Sequence, residues 1–554
     1  MLRFYKLSSL ILISLLFSCK NDNSENAEKK SVTDSRPNIL LVVVDDLGWT
    51  DLGCYGSEIK TPNVDKLAED GVKFSDFHVS VSCSPTRSML LTGTDNHIAG
   101  LGNMSEAMTE KQKGNPGYEG HLNNNVVTLA EILRDGGYHT YMSGKWHLGH
   151  EPEQYPAARG FEKSFSMLYG GASYWSDKYG LLANKEETAK YVYNNEEVET
   201  LPKDFYATRN YTDSIMTSIR SHKGDGKPFF AYLAFTAVHD PVHVPEPWLS
   251  EYKGNYNAGY KVLKENRITG AKNVGVFPKD ATGHDLFAMA KNWEDLSDEQ
   301  KAVESKAMEV YAGMVSNMDY NLGRVINFLK DIDEYDNTII IFLSDNGSNP
   351  YYNDNYPGNK GSAFMAQFDN SAENIGHPMS HYAYGLGWGS ACAGPLDLFK
   401  TVVGEGGIRV PLIITAPGIE KGRQSDAFAY ATDIMPTLLE YANLEHPTNY
   451  NGKEVAPMRG KSLKKLLTNE ESTIYTDQDI TAGEMANSRW IRQGKFKASY
   501  VPKPFGEASW KLFDILQDPG ETTDISKENP EILQKLINSW NDYAKDVGVV
   551  IYDN

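Results

Sequence analysis

The sequence predicts an α/β protein with a mostly parallel central sheet covered on both faces by helices, followed by a smaller C-terminal α/β domain. Three observations carry this. Four short β-rich apolar runs, 39–44, 138–142, 229–235 and 339–343, each stop abruptly at polar residues. Helical patterns lie between them, and continuous apolar strands alternating with helices are the mark of a parallel sheet buried on both sides. After about residue 445 the texture changes, with strand-like stretches at 490–500 and 511–515 and an amphipathic helix at 530–544.

Size and composition agree with this. At roughly 100–200 residues per domain, 554 residues suffice for one large domain and a smaller one, and 40% hydrophobic with 23% charged residues is the balance of a globular chain. Against 74 acidic residues stand 54 basic ones, a formal charge of −20. That field repels nucleic acid and anionic membrane surfaces, so no nucleic-acid partner is expected. A small anionic substrate would need local cations, and a metal, to oppose it.

The chain starts with Arg3 and Lys6, an apolar run at 7–17, then Ser18, Cys19 and a polar stretch over 20–36. This reads as an export signal, because the run is too short for a permanent span of about 20 residues. Residues 16–19 resemble a bacterial lipoprotein cleavage box in which Cys19 is lipidated; a plain cleaved signal and an uncleaved anchor are the alternatives. The expected organisation is a signal peptide at 1–19, a flexible tether at 20–36, a catalytic domain at 37–444 and a C-terminal subdomain at 445–554. The expected location is the bacterial cell envelope, periplasm or outer membrane, with membrane attachment only through the N-terminal lipid.

Each apolar run delivers chemistry to its carboxyl end, where ligands of such sheets gather. The first ends at Asp45 and Asp46, the second at Gly144 and Lys145, the third before His239, and the fourth at Asp345 and Asn346. Helices are expected at 63–68, 128–135 and 308–329; in the last, Tyr311, Val315, Met318, Leu322, Val325 and Leu329 form an apolar stripe. Residues 250–300 and 346–395 read as long irregular insertions near the mouth of the site.

Apart from Cys19, the cysteines are Cys54, Cys83 and Cys392, without the spacing of a disulfide framework or a zinc site. Cys83 opens the string Cys83-Ser84-Pro85-Thr86-Arg87, and Pro85 suits a first helical turn, which puts Cys83 at a helix N-terminus. Alone, that is the setting of an ordinary buried cysteine. Asp45, Asp46, Asp345 and Asn346 form an all-oxygen set suited to Ca²⁺ or Mg²⁺, though either pair alone also serves as a cap or a turn.

Taken together, these strings resemble the type I, formylglycine-dependent sulfatase family, in the bacterial arylsulfatase-like branch of the alkaline phosphatase superfamily. The resemblance rests on Cys83-Ser84-Pro85-Thr86-Arg87 running to Thr92-Gly93, on Gly144-Lys145-Trp146-His147-Leu148-Gly149, on His239-Asp240-Pro241, and on Lys400 followed by Glu405-Gly406-Gly407-Ile408-Arg409-Val410-Pro411. It extends through Asp433-Ile434-Met435-Pro436 to Leu512-Phe513-Asp514 and Asp518-Pro519; the strings 96–102 and 384–400 are similar to the arylsulfatase branch. It implies an alkaline-phosphatase-like α/β/α sandwich and hydrolysis of sulfate monoesters to an alcohol and inorganic sulfate.

Residue by residue, the resemblance implies that Cys83 is converted to formylglycine by a formylglycine-generating enzyme. One hydroxyl of the hydrate attacks sulfur, and the other helps expel sulfate as the aldehyde reforms. Asp45, Asp46, Asp345, Asn346 and the converted Cys83 would hold one Ca²⁺, with Mg²⁺ as the alternative, and Asp345 would help deprotonate the nucleophile. Sulfate would be bound by the ion, Arg87, Lys145 and Lys400. Lys145 would steady the hydrate, His147 would take its proton during sulfate release, and His239 with Lys400 would assist the departing alcohol. Arg409 is expected to hold its loop; His243 is a lesser candidate for substrate contact, and His97, His377 and His381 read as structural. Tyr174, Trp175 and Trp388 are either packing residues or a wall for a sugar. Two rivals stay open at this point: a phosphonate or phosphate ester hydrolase of the same superfamily, and a non-catalytic glycan-binding lipoprotein. The alcohol, aryl, alkyl or carbohydrate, is also open.

Overall fold

A computed structural model describes residues 34–183 and 186–552. The signal peptide with Cys19, and the tether up to residue 33, lie outside the described residues.

Ten strands form the central sheet: β1 (Asn38–Val44), β2 (Val72–Phe74), β3 (His139–Lys145), β4 (Lys163–Met167), β5 (Tyr191–Tyr193), β6 (Glu196–Glu197), β7 (Phe229–Ala234), β8 (Thr338–Ser344), β9 (Leu412–Thr415) and β10 (Arg423–Ser425). Their spatial order is β10-β2-β9-β8-β1-β7-β3-β4-β5-β6. The block β8-β1-β7-β3-β4 is parallel throughout, and antiparallel pairs enter on either side of it. The four predicted apolar runs are therefore four adjacent strands, and their carboxyl ends lie side by side.

All seven residues of β1 are buried, and successive side chains feed opposite faces. Leu40, Val42 and Val44 join one apolar core, while Ile39, Leu41 and Val43 join the other. The helices used below are α1 (Pro62–Asp70), α2 (Cys83–Thr92), α3 (Leu129–Asp135), α4 (Ala207–Arg220), α5 (Tyr260–Asn273), α6 (Asp298–Asp331) and α7 (Pro530–Val547). The stripe of α6 lies wholly in the first core, and Met89, Leu90 and Leu91 of α2 lie in the second. Thr128, expected inside α3, is its cap: its side chain accepts from the Glu131 backbone N–H in a reciprocal capping box.

Three expectations need correction. Residues 346–395 are not irregular throughout but contain the eight-residue helix Gly385–Cys392. Residues 250–300 are not uniformly irregular but contain the 14-residue α5. Its buried face carries Lys264 and Arg267, the latter paired with Asp51 at 2.7 Å and Glu58 at 2.6 Å, and charged residues on the inner face erase the apolar period. The stretch 490–500 is two strands rather than one, because Gly494 (φ +56°) turns the chain.

The C-terminal sheet is a four-stranded antiparallel meander, β11 (Ile480–Met485), β12 (Ser488–Gln493), β13 (Phe496–Tyr500) and β14 (Trp510–Asp514). Trp540 and Leu536 of α7 pack on Ile491, Ala498 and Leu512 to form its own small core.

Candidate active site

Asp45 and Asp46 follow β1 directly. The Asp45 N–H donates to Ala237 O, and the Asp345 N–H to Val44 O, so the sheet's pairing continues into the site. Asp46 (φ +63°) and His147 (φ +56°) are non-glycine residues in the left-handed region, a strained conformation that marks functional turns. Gly144 lets β3 approach β7: a Cβ there would lie 1.7 Å from Ala234 O. Gly347 does the same between two motifs, since its Cβ would lie 1.8 Å from Gly406 O and its N–H donates to Gly407 O.

Cys83 is the first residue of α2, as predicted, and is fully buried. Its Sγ lies 3.3 Å from Asp45 Oδ1 and 4.0 Å from Asp46 Oδ1. Burial and the Asp45 charge push this thiol well above its usual range, so it stays protonated and donates. Lys145 Nζ lies 2.6 Å from Asp45 Oδ2, and Lys400 Nζ lies 2.8 Å from Asp46 Oδ1 and 2.9 Å from Oδ2. Burial opposes charge on Asp46, but His239, Lys400 and Lys145 outweigh it and hold its carboxyl down to about 2. Asp345 goes the other way: burial and Asp45 push it up to about 6 against the pull of Arg87.

The imidazole of His239 bridges two groups. Nδ1 donates to Asp240 O at 2.6 Å, and Nε2 lies 3.4 Å from Asp46 Oδ2. Burial lowers its pKa, with Asp46 opposing. His147 Nε2 lies 3.1 Å from Glu106 Oε1, a partner the sequence reading did not single out. Cys83, His147, His239, Lys400 and Glu106 line one pocket of about 180 Å³ whose other walls include Met104, Leu181, Leu182, Tyr351 and Tyr356.

Arg87 and Lys145, expected at the sulfate, lie among the same carboxylates, on Asp345 at 2.7 Å and Asp45 at 2.6 Å. Arg87 Nε donates to Asp345 Oδ2 at 2.9 Å and Nη1 to Lys145 O at 3.0 Å, so both cations brace carboxylates. Arg409 does hold its loop, donating to Ser75 O and pairing with Glu405. His243 is structural: Nε2 donates to Ser380 O at 2.8 Å, away from the pocket. Tyr174 and Trp388 are fully buried packing residues, not a sugar wall.

The buried cluster is compatible with a metal ion. Ligand atoms of Asp45, Asp46, Cys83 and His239 all lie within 4.8 Å of one another. Asn346 donates Nδ2 to Asp46 Oδ1 at 2.7 Å, which leaves its own buried Oδ1 without a hydrogen-bond partner. A buried oxygen without a partner next to these carboxylates is compatible with a cation ligand.

Lys400 and two imidazoles open onto the pocket, with the thiol at its floor, so a negatively charged ester is the ligand this edge is built to receive and split. The class is a hydrolase of anionic esters.

Comparison with known proteins narrows it. The sulfatase family model matches residues 37–444, and the model for the C-terminal region of N-sulphoglucosamine sulphohydrolase matches 397–545. An uncharacterized sulfatase of Schizosaccharomyces pombe is 41% identical over 95% of this chain and 96% of its own length. An arylsulfatase of Klebsiella aerogenes is 37% identical over 78% of this chain and 92% of its own. The crystal structure of Ps i-CgsB in complex with k-i-k-neocarrahexaose shares the fold, with a TM-score of 0.64 at 24% identity over 92% of this chain and 93% of that one. The chain belongs to the sulfatase family, and it is a sulfuric ester hydrolase of the alkaline-phosphatase-like fold.

Proposed function

We propose that this protein hydrolyses sulfate monoesters of apolar alcohols, aryl or alkyl, through a formylglycine formed from Cys83 beside one Ca²⁺, with Mg²⁺ as the alternative ion. One observation carries the reading: the Cys83 side chain sits at the floor of an apolar pocket, 3.3 Å from the first of the sheet-edge carboxylates. As a thiol it is a poor nucleophile, because burial keeps it protonated. Formylglycine hydrate supplies a hydroxyl nucleophile there, and a second hydroxyl through which the aldehyde is restored. Asp45, Asp46, Asp345 and Asn346, with the converted side chain, would hold the ion, which supplies polarisation of a sulfate oxygen.

The remaining work falls to the chain. Lys400 is held charged: burial opposes this, but Asp46 and its neighbours raise its pKa well above the ordinary value. It meets the sulfate's negative charge at the pocket wall and stabilises charge growing on the departing alcohol. With Nδ1–H held by Asp240 O, His239 hydrogen-bonds the bridging oxygen through Nε2 only as the imidazolium, the form that Asp46 favours and burial opposes. Lys145 fixes Asp45 and Arg87 fixes Asp345, so neither carboxylate has to reorganise during the reaction. His147 takes a proton as sulfate leaves. Met104, Leu181, Leu182 and the rings of Tyr351 and Tyr356 give an apolar alcohol a wall to pack on, although Glu186 and Asn355 also line the pocket.

Every residue of α2 is buried, so we place the conversion of Cys83 by a formylglycine-generating enzyme before folding. From the N-terminal sequence we propose export to a bacterial envelope as a lipoprotein, with a catalytic domain at 37–444 and a C-terminal subdomain at 445–554. Among the described residues no helix is long and apolar enough to cross a membrane.

The test is peptide mass spectrometry of position 83 in natively produced protein, alongside sulfate release from aryl, alkyl and oligosaccharide sulfates. The expected result is an aldehyde at 83 and turnover highest on the aryl and alkyl esters. An intact thiol in active protein, or a preference for sulfated oligosaccharides, overturns the corresponding half of the reading.

A further inference from the structure

We infer that Glu106 is a positioning residue that fixes the tautomer and ring orientation of His147; its catalytic consequence rests on the sulfatase reading above. Glu106 sits in a short turn, Ser105–Ala107, that reaches the pocket from outside the strand-end motifs. Its Oε1 lies 3.1 Å from His147 Nε2, and Ser105 Oγ donates to its Oε2 at 3.0 Å. Burial disfavours charge on both partners, keeping His147 toward its neutral form, while the backbone and Ser105 Oγ hydrogen bonds favour the Glu106 carboxylate.

A carboxylate only accepts hydrogen bonds, so Nε2 must carry the ring proton. That leaves Nδ1 as the lone-pair nitrogen, and Nδ1 is buried without a hydrogen-bond partner. An unpartnered buried base in a pocket shared with Cys83 is free for the reacting group. The ring's other edge is fixed as well. A Cβ on Gly170 would lie 3.0 Å from His147 Cε1 and 3.3 Å from Glu106 Oε1, so a larger residue there would crowd the pair. The arrangement has the logic of a carboxylate that holds a catalytic imidazole in one tautomer without reacting itself.

The experiment compares the full-length parent with Glu106→Ala, Glu106→Asp and Glu106→Gln. It measures steady-state kinetics on two aryl sulfates, formylglycine content at position 83, and ¹⁵N spectra of histidine-labelled protein. His147 is assigned among the 13 histidines by subtracting the spectrum of His147→Gln. In the parent, His147 should show the Nε2–H tautomer. Glu106→Ala should shift it to a tautomer mixture and lower kcat by about 10–100-fold with KM little changed and formylglycine content unaltered; Glu106→Asp should recover part of both. A His147 tautomer unmoved by Glu106→Ala, or a kcat within twofold of the parent's, overturns the inference. If the fully converted parent releases no sulfate, the functional reading fails, and the ¹⁵N comparison alone still decides whether Glu106 sets the tautomer.

Discussion

Lys497, on the third strand of the C-terminal sheet, places its ammonium 2.7 Å from the carboxylate of Glu405 in the catalytic body, and neither side chain has measurable exposure. Lys497 also pairs with Glu521 at 2.9 Å and donates to Val403 O, while Glu405 takes His78 at 3.0 Å and Arg409 at 3.3 Å. Val403 and Glu405 belong to the loop that begins at Lys400. The C-terminal sheet therefore clamps the segment presenting Lys400 to the pocket. Removing one partner of a buried charge network leaves uncompensated charge, so Lys497→Met should lower the unfolding free energy by about 3–5 kcal/mol and reduce kcat. Denaturant unfolding and kinetics at a temperature where the variant is folded check both; a loss under about 1 kcal/mol would mean the network is not structural.

A second link between the two parts is pH-sensitive. His97 is sandwiched between Asp95 at 3.0 Å and Glu484 of β11 at 3.1 Å, and Tyr543 of α7 donates to Asp95. Burial disfavours the imidazolium, but the two carboxylates win and raise its pKa to about 9. The folded value exceeds the unfolded value of about 6.5. The stabilisation is thus complete below pH about 6.5 and lost as pH rises through about 9. Thermal melts from pH 6 to 10 should show a decline over this window that His97→Gln lacks; parallel curves for the two proteins would refute the assignment.

Gly144 joins a motif to a contact between strands. With Ala234 O only 1.7 Å from the position of a Cβ, and φ at +123°, Gly144→Ala must push β3 from β7 and displace Lys145, the next residue. The expected outcome is destabilisation by more than about 1 kcal/mol and a fall in kcat/KM carried mainly by kcat. A fully stable, fully active Gly144→Ala would show that the strands have slack there.

How far the sequence revealed this site follows from how local each signal is. Asp45, Asp46, Asp345 and Asn346 were visible because each closes a continuous apolar run, and adjacent parallel strands bring such ends together. The pairing of Glu405 with Lys497 was not visible, since 92 residues separate them and a lone Lys in a strand gives no sign of burial. Helix α5 was hidden by the charges on its own buried face. Glu106 lies between two recognisable strings and matches neither; its one local signal is the Ser105-Glu106 pair, which is common on surfaces. The turn at Gly494 was legible in principle, as a glycine inside a strand pattern is a warning of a break.

The apolar pocket walls make a prediction about the alcohol. Leu181 and Leu182 are nearly fully buried beside Tyr356. Truncating Leu182 to Ala removes apolar contact worth about 0.8 kcal/mol per methylene lost to a substrate. With between one and two of its three lost carbons against the substrate, Leu182→Ala should lower kcat/KM for an aryl sulfate by roughly five- to tenfold, mostly through KM. A sugar sulfate should respond less. Equal effects on both would count against an apolar alcohol as the preferred substrate.

The unpartnered Oδ1 of Asn346 gives the ion its own test. Nδ2 of the same amide holds Asp46 Oδ1 at 2.7 Å, so in the proposed site Asn346 would both contribute an oxygen and aim a carboxylate. Chelation should abolish sulfate release and Ca²⁺ should restore it. Asn346→Ala should raise the Ca²⁺ concentration for half-restoration by about tenfold or more, since aligning groups around an ion are typically worth 10–100-fold in affinity. Binding is also readable without turnover, because an ion that binds only the folded state raises the melting temperature in proportion to the logarithm of its concentration. That increment should shrink in Asn346→Ala and stay intact in His243→Gln, whose side chain lies outside the pocket. If Ca²⁺ leaves the melting temperature of the parent unchanged after chelation, the four oxygen donors do not form an ion site, and their burial beside Lys145, Lys400 and Arg87 would have to be explained as a closed salt-bridge network instead.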